Sequence, residues 1–342
     1  MKKISPALII AILFSLISCS QTKTSESFTA MNTFMTVSLY SSSVKKAGIV
    51  CSQIQNRIRE LEEILSTTLP DSDVYYINHN KKFPDPLRPE LLELLRFSSN
   101  MYIKTDNKYN PALYPVIREW GFTTENYKVP SDQRISELLM HTDYSALCDS
   151  DFAANVPIKD EMELDFGAVG KGYAADQAVM ILEENDIKSA LLDFGGNIQT
   201  IGRKPDGSLW RVGIKNPWTG DAACALSVES KAVVTSGGYE RFFEDDNGNR
   251  YIHIFDPKTG RPSQSNIESV TIISTSGTYA DCLSTALFVM GKDTAIKWWK
   301  ENSDISFDFI LITKDKRLIY SAGIKDFIEP LYQFESVEIV TR

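Results

Sequence analysis

Asp281 and Thr285 stand four residues apart in the run Ala280-Asp281-Cys282-Leu283-Ser284-Thr285-Ala286. On a helix that spacing puts a carboxylate and a hydroxyl on one face. Hard oxygen ligands of this kind, with Ser284 beside them, suit Mg²⁺, which keeps few protein ligands and fills its shell with waters and phosphates. Asp is also a common helix N-cap, so the run by itself admits both readings. A second cluster, Leu164 to Tyr173, reads as a strand entering Gly167, Gly170, Lys171 and Gly172 before a helix. Glycines let a backbone approach an anion closely, a helix N-terminus offers free N–H groups, and Lys171 adds a full positive charge. That is the chemistry of a phosphate-binding turn, although it matches neither GxGxxG nor a P-loop, and a structural Gly-rich turn would look the same.

Three further clusters follow. Asp193-Phe194-Gly195-Gly196-Asn197 closes a strand with paired glycines, where either a ligand or a tight turn fits. Thr235-Ser236-Gly237-Gly238-Tyr239-Glu240-Arg241 offers hydroxyls and amides to a ribose or phosphate, or a bulge. His253-Ile254-Phe255-Asp256-Pro257 places a histidine at a strand end, just before an Asp-Pro turn, where a general base is plausible chemistry. Two Asp-Phe-Gly triplets do not make a kinase, because no HRD loop and no VAIK-type lysine accompany them. The three histidines, His79, His141 and His253, have no metal-ligand spacing, which excludes an HExxH zinc site.

These residues need elements to carry them. Ala47, Cys51, Ile54, Ile58, Leu61 and Leu65 recur at three or four residues and predict an amphipathic helix capped by Ser41 to Ser43, with Cys51 a buried thiol. Further helices are predicted from Pro89, from Ser131, from about Lys171 to Asn185, and from near Asp281. Strands are predicted over about 33–40, 162–166, 189–194, 209–215, 224–230, 251–255, 267–274, 307–313 and 317–321. Strands and helices do not alternate strictly, so the expected class is α+β, with largely antiparallel sheets and packed helices, helix-rich in its first half and sheet-rich in its second.

The chain has 342 residues, with 43% apolar, 24% charged and 11% aromatic residues, which is globular composition and excludes disorder. A net charge of −9 leaves no basic balance for nucleic acid. Lys2 and Lys3 precede an apolar run from Ala7 to Ile17, too short for a bilayer span and typical of a secretory signal. It ends in Leu16-Ile17-Ser18-Cys19, which resembles a bacterial lipobox. The resemblance implies cleavage before Cys19, lipidation of its sulfur, export and a membrane anchor facing the periplasm, most simply on the inner membrane. Residues 1–18 are then a signal peptide, 19–30 a polar lipidated tether, and 31–342 the functional domain.

Taken together the five ordered clusters resemble the ApbE family, the FAD:protein FMN transferases. Gly170 to Asp176, Asp193 to Asn197, Thr235 to Arg241, His253 to Pro262 and Ala280 to Gly291 carry the likeness. The resemblance implies a T-fold-related flavin transferase fold and Mg²⁺-dependent transfer of FMN from FAD to a Ser or Thr hydroxyl in the flavinylation motif of an exported redox protein, releasing AMP. It implies Asp281, Ser284, Thr285 and the backbone carbonyl of Ala168 as metal ligands, and His253 as the base that works beside Asp281. It places Lys171 on the phosphates and Met31, Asn110, Pro111, Ala112, Asp165, Gly196, Ser236 and Ile254 around FAD. The chain departs from the family at Asn32, at Asn110 and Ala112, and at Thr68, where an aromatic would lie by the flavin. Thr68 makes a second reading concrete, an FAD pyrophosphatase giving FMN and AMP. A lipoprotein that binds flavin without catalysis is a third.

Overall fold

The computed structural model describes residues 21–150, 152, 156, 158–159 and 161–342. It opens with β1 (Thr22–Ala30), β2 (Thr33–Ser41) and α1 (Val44–Leu65). Shorter helices follow: α2 (Asp73–Asn80), α3 (Pro89–Lys104), α4 (Tyr114–Glu119), α5 (Asp132–Leu139) and α6 (Ser145–Cys148). Helix α7 (Gly170–Glu184) leads into β3 (Ala190–Phe194), β4 (Asn197–Ile201), β5 (Trp210–Lys215), β6 (Ala222–Val228) and β7 (Ala232–Gly237). Four short strands come next: β8 (Phe242–Glu244), β9 (Arg250–Ile252), β10 (Phe255–Asp256) and β11 (Arg261–Pro262). The chain closes with β12 (Ile267–Ser274), α8 (Gly277–Met290), α9 (Lys292–Glu301), β13 (Asp308–Thr313), β14 (Arg317–Ser321), β15 (Ile328–Pro330) and β16 (Ser336–Val340).

Nine strands form one sheet in the order β1-β2-β3-β4-β7-β12-β13-β14-β16. Every neighbouring pair in it is antiparallel except β14 and β16. On one face α1, α7 and α8 bury Ile54, Ile58, Ala178, Leu283 and Leu287 against Met35, Leu192, Val234 and Ile272. On the other face the small sheet β15-β6-β5 packs Trp210, Val212 and Leu226 against Val233, Ile273 and Ile310. Central β12 is therefore buried on both faces: every residue but Glu268 is buried, and its other polar side chains are the small hydroxyls of Ser269, Thr271 and Ser274. A third cluster, built on Trp120, Phe122 and Phe255, joins α4 and α5 to the β10–β11 hairpin. The α+β class and the antiparallel pairing expected from the sequence hold.

Helix α1 matches its predicted stripe, and Ser43 caps it by accepting the Lys46 amide at 3.2 Å. Cys51 lies in the core, where burial pushes its thiol up to about 11. Several expectations change. The polar tether expected over 19–30 is instead a strand from Thr22, paired along its length with β2. Its exposed edge carries polar side chains, which hid it from a hydrophobicity reading. No strand forms over 162–166: the buried Asn78 side chain donates to the Leu164 carbonyl at 2.9 Å and accepts its amide at 2.7 Å. The last expected helix begins at Gly277, not near Asp281, so Asp281 is not an N-cap. The expected signal peptide and Cys19 lie outside the described residues. Among the described residues no helix is long and apolar enough to cross a membrane.

Candidate active site

Two helices build the centre. The α7 N-terminus meets the first turn of α8 at a glycine pair, Gly172 and Gly277. A Cβ on Gly172 would stand 2.5 Å from the Gly277 carbonyl carbon and 2.7 Å from Asp281 Cβ, so only glycine permits this approach. Asp176, one turn on, holds the α8 N-terminus. Its carboxylate accepts from the Gly277 amide at 2.6 Å, the Thr278 amide at 2.9 Å, and the hydroxyls of Ser276 and Thr278 at 2.9 and 2.7 Å. Nothing in the residue pattern marks Asp176 for this role beyond its place at the end of Gly170 to Asp176.

Asp281 is 5% exposed, and its Oδ2 accepts the Gly172 amide at 2.9 Å. A buried carboxylate normally needs a cation or several donors. Three hydroxyls stand beside it. Ser236, on β7, lies 2.8 Å from Ser284 Oγ and 3.3 Å from Thr285 Oγ1. Ser284 is fully buried and donates to the Asp281 carbonyl at 2.8 Å. A buried carboxylate among neutral hydroxyls is a donor set for a hard divalent cation. No cluster of three His, Cys, Asp or Glu side chains occurs among the described residues, so such an ion would depend on hydroxyls, carbonyls and substrate oxygens. The structure thus joins Asp281, Ser284, Thr285 and Ser236; Ala168 lies in the turn that precedes α7.

His253 follows β9, and both its amide and its ring Nδ1 lie 3.1 Å from the Arg241 carbonyl. A carbonyl only accepts, so Nδ1 carries the proton and Nε2 is left as the acceptor. Burial, with the Arg241 and Lys171 charges, lowers the His253 pKa to about 4, against a weaker opposing effect of the carbonyl bond. The ring is therefore neutral near pH 7. Ile254, next along, is buried and its carbonyl accepts the Ser263 amide at 2.8 Å. Burial raises Asp165, while the Gly167 amide at 2.9 Å and the Lys171 and Arg241 charges act the other way. Burial likewise raises Glu240, with Lys171 and Lys215 opposing and Asp281 reinforcing. These couplings draw Lys171, His253, Asp165, Glu240, Arg241 and Asp281 around one centre. Lys215 and Glu240 belong to it although the sequence singled out no role for either.

The remaining expected residues form the rim. Asn110 Oδ1 accepts the Ala112 amide at 2.8 Å, and the Pro111 carbonyl accepts the Asp165 amide at 2.8 Å. That bond ties the 110–112 turn to the turn before α7. Thr68 is exposed in a loop pinned by Ser66 Oγ, which accepts the Thr68 and Leu69 amides. Its neighbour Thr67 hydrogen-bonds Tyr114, which feels the Asp165 charge, so Thr68 belongs to this side of the centre. Met31 lies at the β1–β2 tip with φ 49°, held by its amide donating to Glu62 at 2.7 Å. Gly195 is packed on Thr33, whereas a Cβ on Gly196 (φ 90°) would meet open space, leaving room for a ligand.

The model of the ApbE family matches residues 31–308. A relative from Treponema pallidum named FAD:protein FMN transferase is 34% identical, spanning 80% of each chain. One of that name from Klebsiella pneumoniae is 30% identical over 82% of this chain and 88% of its own. The crystal structure of the ApbE protein from Thermotoga maritima superposes with a TM-score of 0.82 at 32% identity, covering 90% of this chain and 99% of that one.

Proposed function

The chain belongs to the ApbE family, and from that premise we propose that it transfers FMN from FAD to a hydroxyl of a protein acceptor, releasing AMP. The supporting observation is the buried Asp281 carboxylate, fixed by the Gly172 amide beside the Ser236, Ser284 and Thr285 hydroxyls. Asp281, Thr285 and the Ala168 carbonyl would hold Mg²⁺, with Ser284 and Ser236 supporting them. The ion would supply Lewis-acid stabilisation of charge on the pyrophosphate. Lys171 and the α7 N-terminus bind the phosphates. Gly196 leaves room for FAD, Met31 stands at its edge, and the 110–112 turn with Asp165 and Ile254 orients it. His253 Nε2 takes the proton of the acceptor Ser or Thr as its oxygen bonds to the FMN phosphorus. The bond from that phosphorus to the bridging oxygen breaks, and AMP leaves.

The N-terminal signal and Cys19 support a reading of the protein as an exported lipoprotein, with an exported redox protein as acceptor. One observation supports a second activity on the same centre. Thr68 is short and exposed where the family resemblance expects an aromatic by the flavin. Water can then replace the acceptor hydroxyl, and FAD is hydrolysed to FMN and AMP.

The test incubates the protein with FAD and Mg²⁺, with and without an acceptor domain bearing a flavinylation motif. AMP is followed by chromatography and FMN on the acceptor by intact mass. AMP only with acceptor, alongside an FMN adduct, supports transfer. AMP without acceptor establishes hydrolysis. Bound FAD with no AMP in either tube refutes both and leaves a flavin-binding protein.

A further inference from the structure

Building on the reading of Cys19 as a lipidated residue, we propose that the catalytic end is held about 30 Å above the membrane, with the basic opposite end of the molecule resting on anionic phospholipid headgroups. The direction of two elements carries this. Strand β1 starts at Thr22, beside Ser41, and ends at Ala30, next to Met31 at the rim of the centre. Nine strand residues span about 30 Å. Helix α1 covers the same ground independently. It starts at Val44, three residues after Ser41, and by Glu62 it accepts the Met31 amide. Its 22 residues span about 33 Å. Only Ser20 and Gln21 separate Cys19 from Thr22. A lipid on Cys19 therefore joins the fold at the end away from the chemistry.

That end is basic in an acidic protein. It gathers Lys23 and the start of α1 with the α7–β3, β4–β5 and β6–β7 connections. Backbone bonds from Tyr40 to Ser189 and from Thr200 to Lys231, and from the Gly202 amide to Ser230 Oγ, hold these connections together. Lys45 and Lys46 open α1, Lys188 precedes β3, Arg203 and Lys204 follow β4, and Lys231 precedes β7. The acids in and beside these connections are Glu183, Asp186, Asp206, Glu229 and Asp326, of which Asp186 pairs Lys188 and Glu229 pairs Arg203, so the lysines and arginines still outnumber them. Lys23, Lys45, Lys46, Lys204 and Lys231 have no ion pair among the described residues; Lys204 lies over the Trp210 ring at 5.9 Å. Glu184 faces Gln53 and Arg57, partway up α1, away from this rim. Exposed Val44 adds an apolar side chain at the rim itself. The chain as a whole carries −9, so an anionic surface attracts this end and repels the rest.

The test reconstitutes the full lipidated chain in vesicles of phosphatidylcholine alone and in vesicles containing phosphatidylglycerol, and reads backbone amide exchange. In phosphatidylglycerol vesicles at low salt, amides in 44–47, 186–189 and 202–208 should slow, while those in 31–34, 167–171 and 238–241 should not. Each of Lys45→Gln, Lys46→Gln, Lys204→Gln and Lys231→Gln should reduce that protection about fivefold, the equivalent of about 1 kcal/mol. None of the four should change FAD turnover in detergent. A lipidated chain protected at 31–34 and 238–241, or equally exchanging in both vesicles, overturns the orientation and leaves the anchor intact. A chain whose intact mass lacks the lipid refutes the anchor, and the standoff with it.

Discussion

Replacing Gly172 with alanine tests whether helix contact, more than residue identity, builds the centre. The new Cβ would lie 2.5 Å from the Gly277 carbonyl carbon and 2.7 Å from Asp281 Cβ. Neither is the far end of a flexible side chain, and the Gly277 carbonyl oxygen stands closer still, so α7 and α8 must part by more than about 1 Å to reach an ordinary contact of roughly 3.4 Å. Overpacking of this kind costs about 1–3 kcal/mol. In a chain of this size that lowers Tm by roughly 2–6 °C, at about 2 °C per kcal/mol. The same displacement stretches the 2.9 Å bond from the Gly172 amide to Asp281 beyond hydrogen-bonding range. Misplacing a reacting group by about 1 Å costs about a hundredfold in rate. The assay is AMP release at saturating FAD and Mg²⁺, beside thermal unfolding. Gly213→Ala is the control, because its Cβ would meet only Ala222 Cβ at an ordinary 3.6 Å. Wild-type turnover and Tm in Gly172→Ala would refute the argument. A lowered Tm with unchanged turnover would refute its catalytic half.

Asp281→Asn removes the buried charge and keeps the shape; turnover should fall at least about a thousandfold, with FAD affinity measured by flavin fluorescence changing far less. His253 should set the acid limb of the pH profile. With a pKa of about 4 in the free protein it stays a base well below the usual histidine range, so kcat/KM should persist to near pH 4. Bound pyrophosphate offsets the Lys171 and Arg241 charges, so the limb of kcat should lie at higher pH, and coincident limbs would contradict this. The same shift makes an unfolding prediction: unfolded His253 binds a proton that the folded form does not between about pH 6.5 and 4, so its contribution to stability falls as pH drops through that window. Asp176→Ala strips four donors of their acceptor at the α8 N-terminus and should cost about 2–4 kcal/mol, read by denaturant unfolding. Thr68→Tyr should lower any acceptor-independent AMP release without lowering transfer; an unchanged ratio would remove Thr68 from the argument.

Residue types and order were enough to identify the family and to pick out most of the residues that the fold gathers at the candidate centre. Local chemistry made this possible: a Gly-rich turn before a helix, Asp281 and Thr285 at helical spacing, and His253 beside an Asp-Pro turn are short-range patterns. The α1 stripe and the β-branched stretch of β12, Val270 to Ile273, were legible for the same reason. Strand β1 was not, because an edge strand with one exposed face reads as polar linker until its partner β2 is known. The 162–166 segment shows the reverse: strand-like residues whose backbone bonds go to Asn78 and Pro111, far off in sequence. Which reading of Asp281 applies was decided only in three dimensions. Ser276 and Asp176 take the capping role, and the Gly172–Gly277 approach buries the carboxylate against an amide 109 residues away. The tautomer of His253 depends on the Arg241 carbonyl, and the grouping of Ser236 with Ser284 and Thr285 depends on β7 passing under α8. The sequence by itself determined which chemical groups are present and which face of each element carries them. Their charge states and mutual distances are properties of packing, because burial and neighbouring charges exist only once distant segments meet.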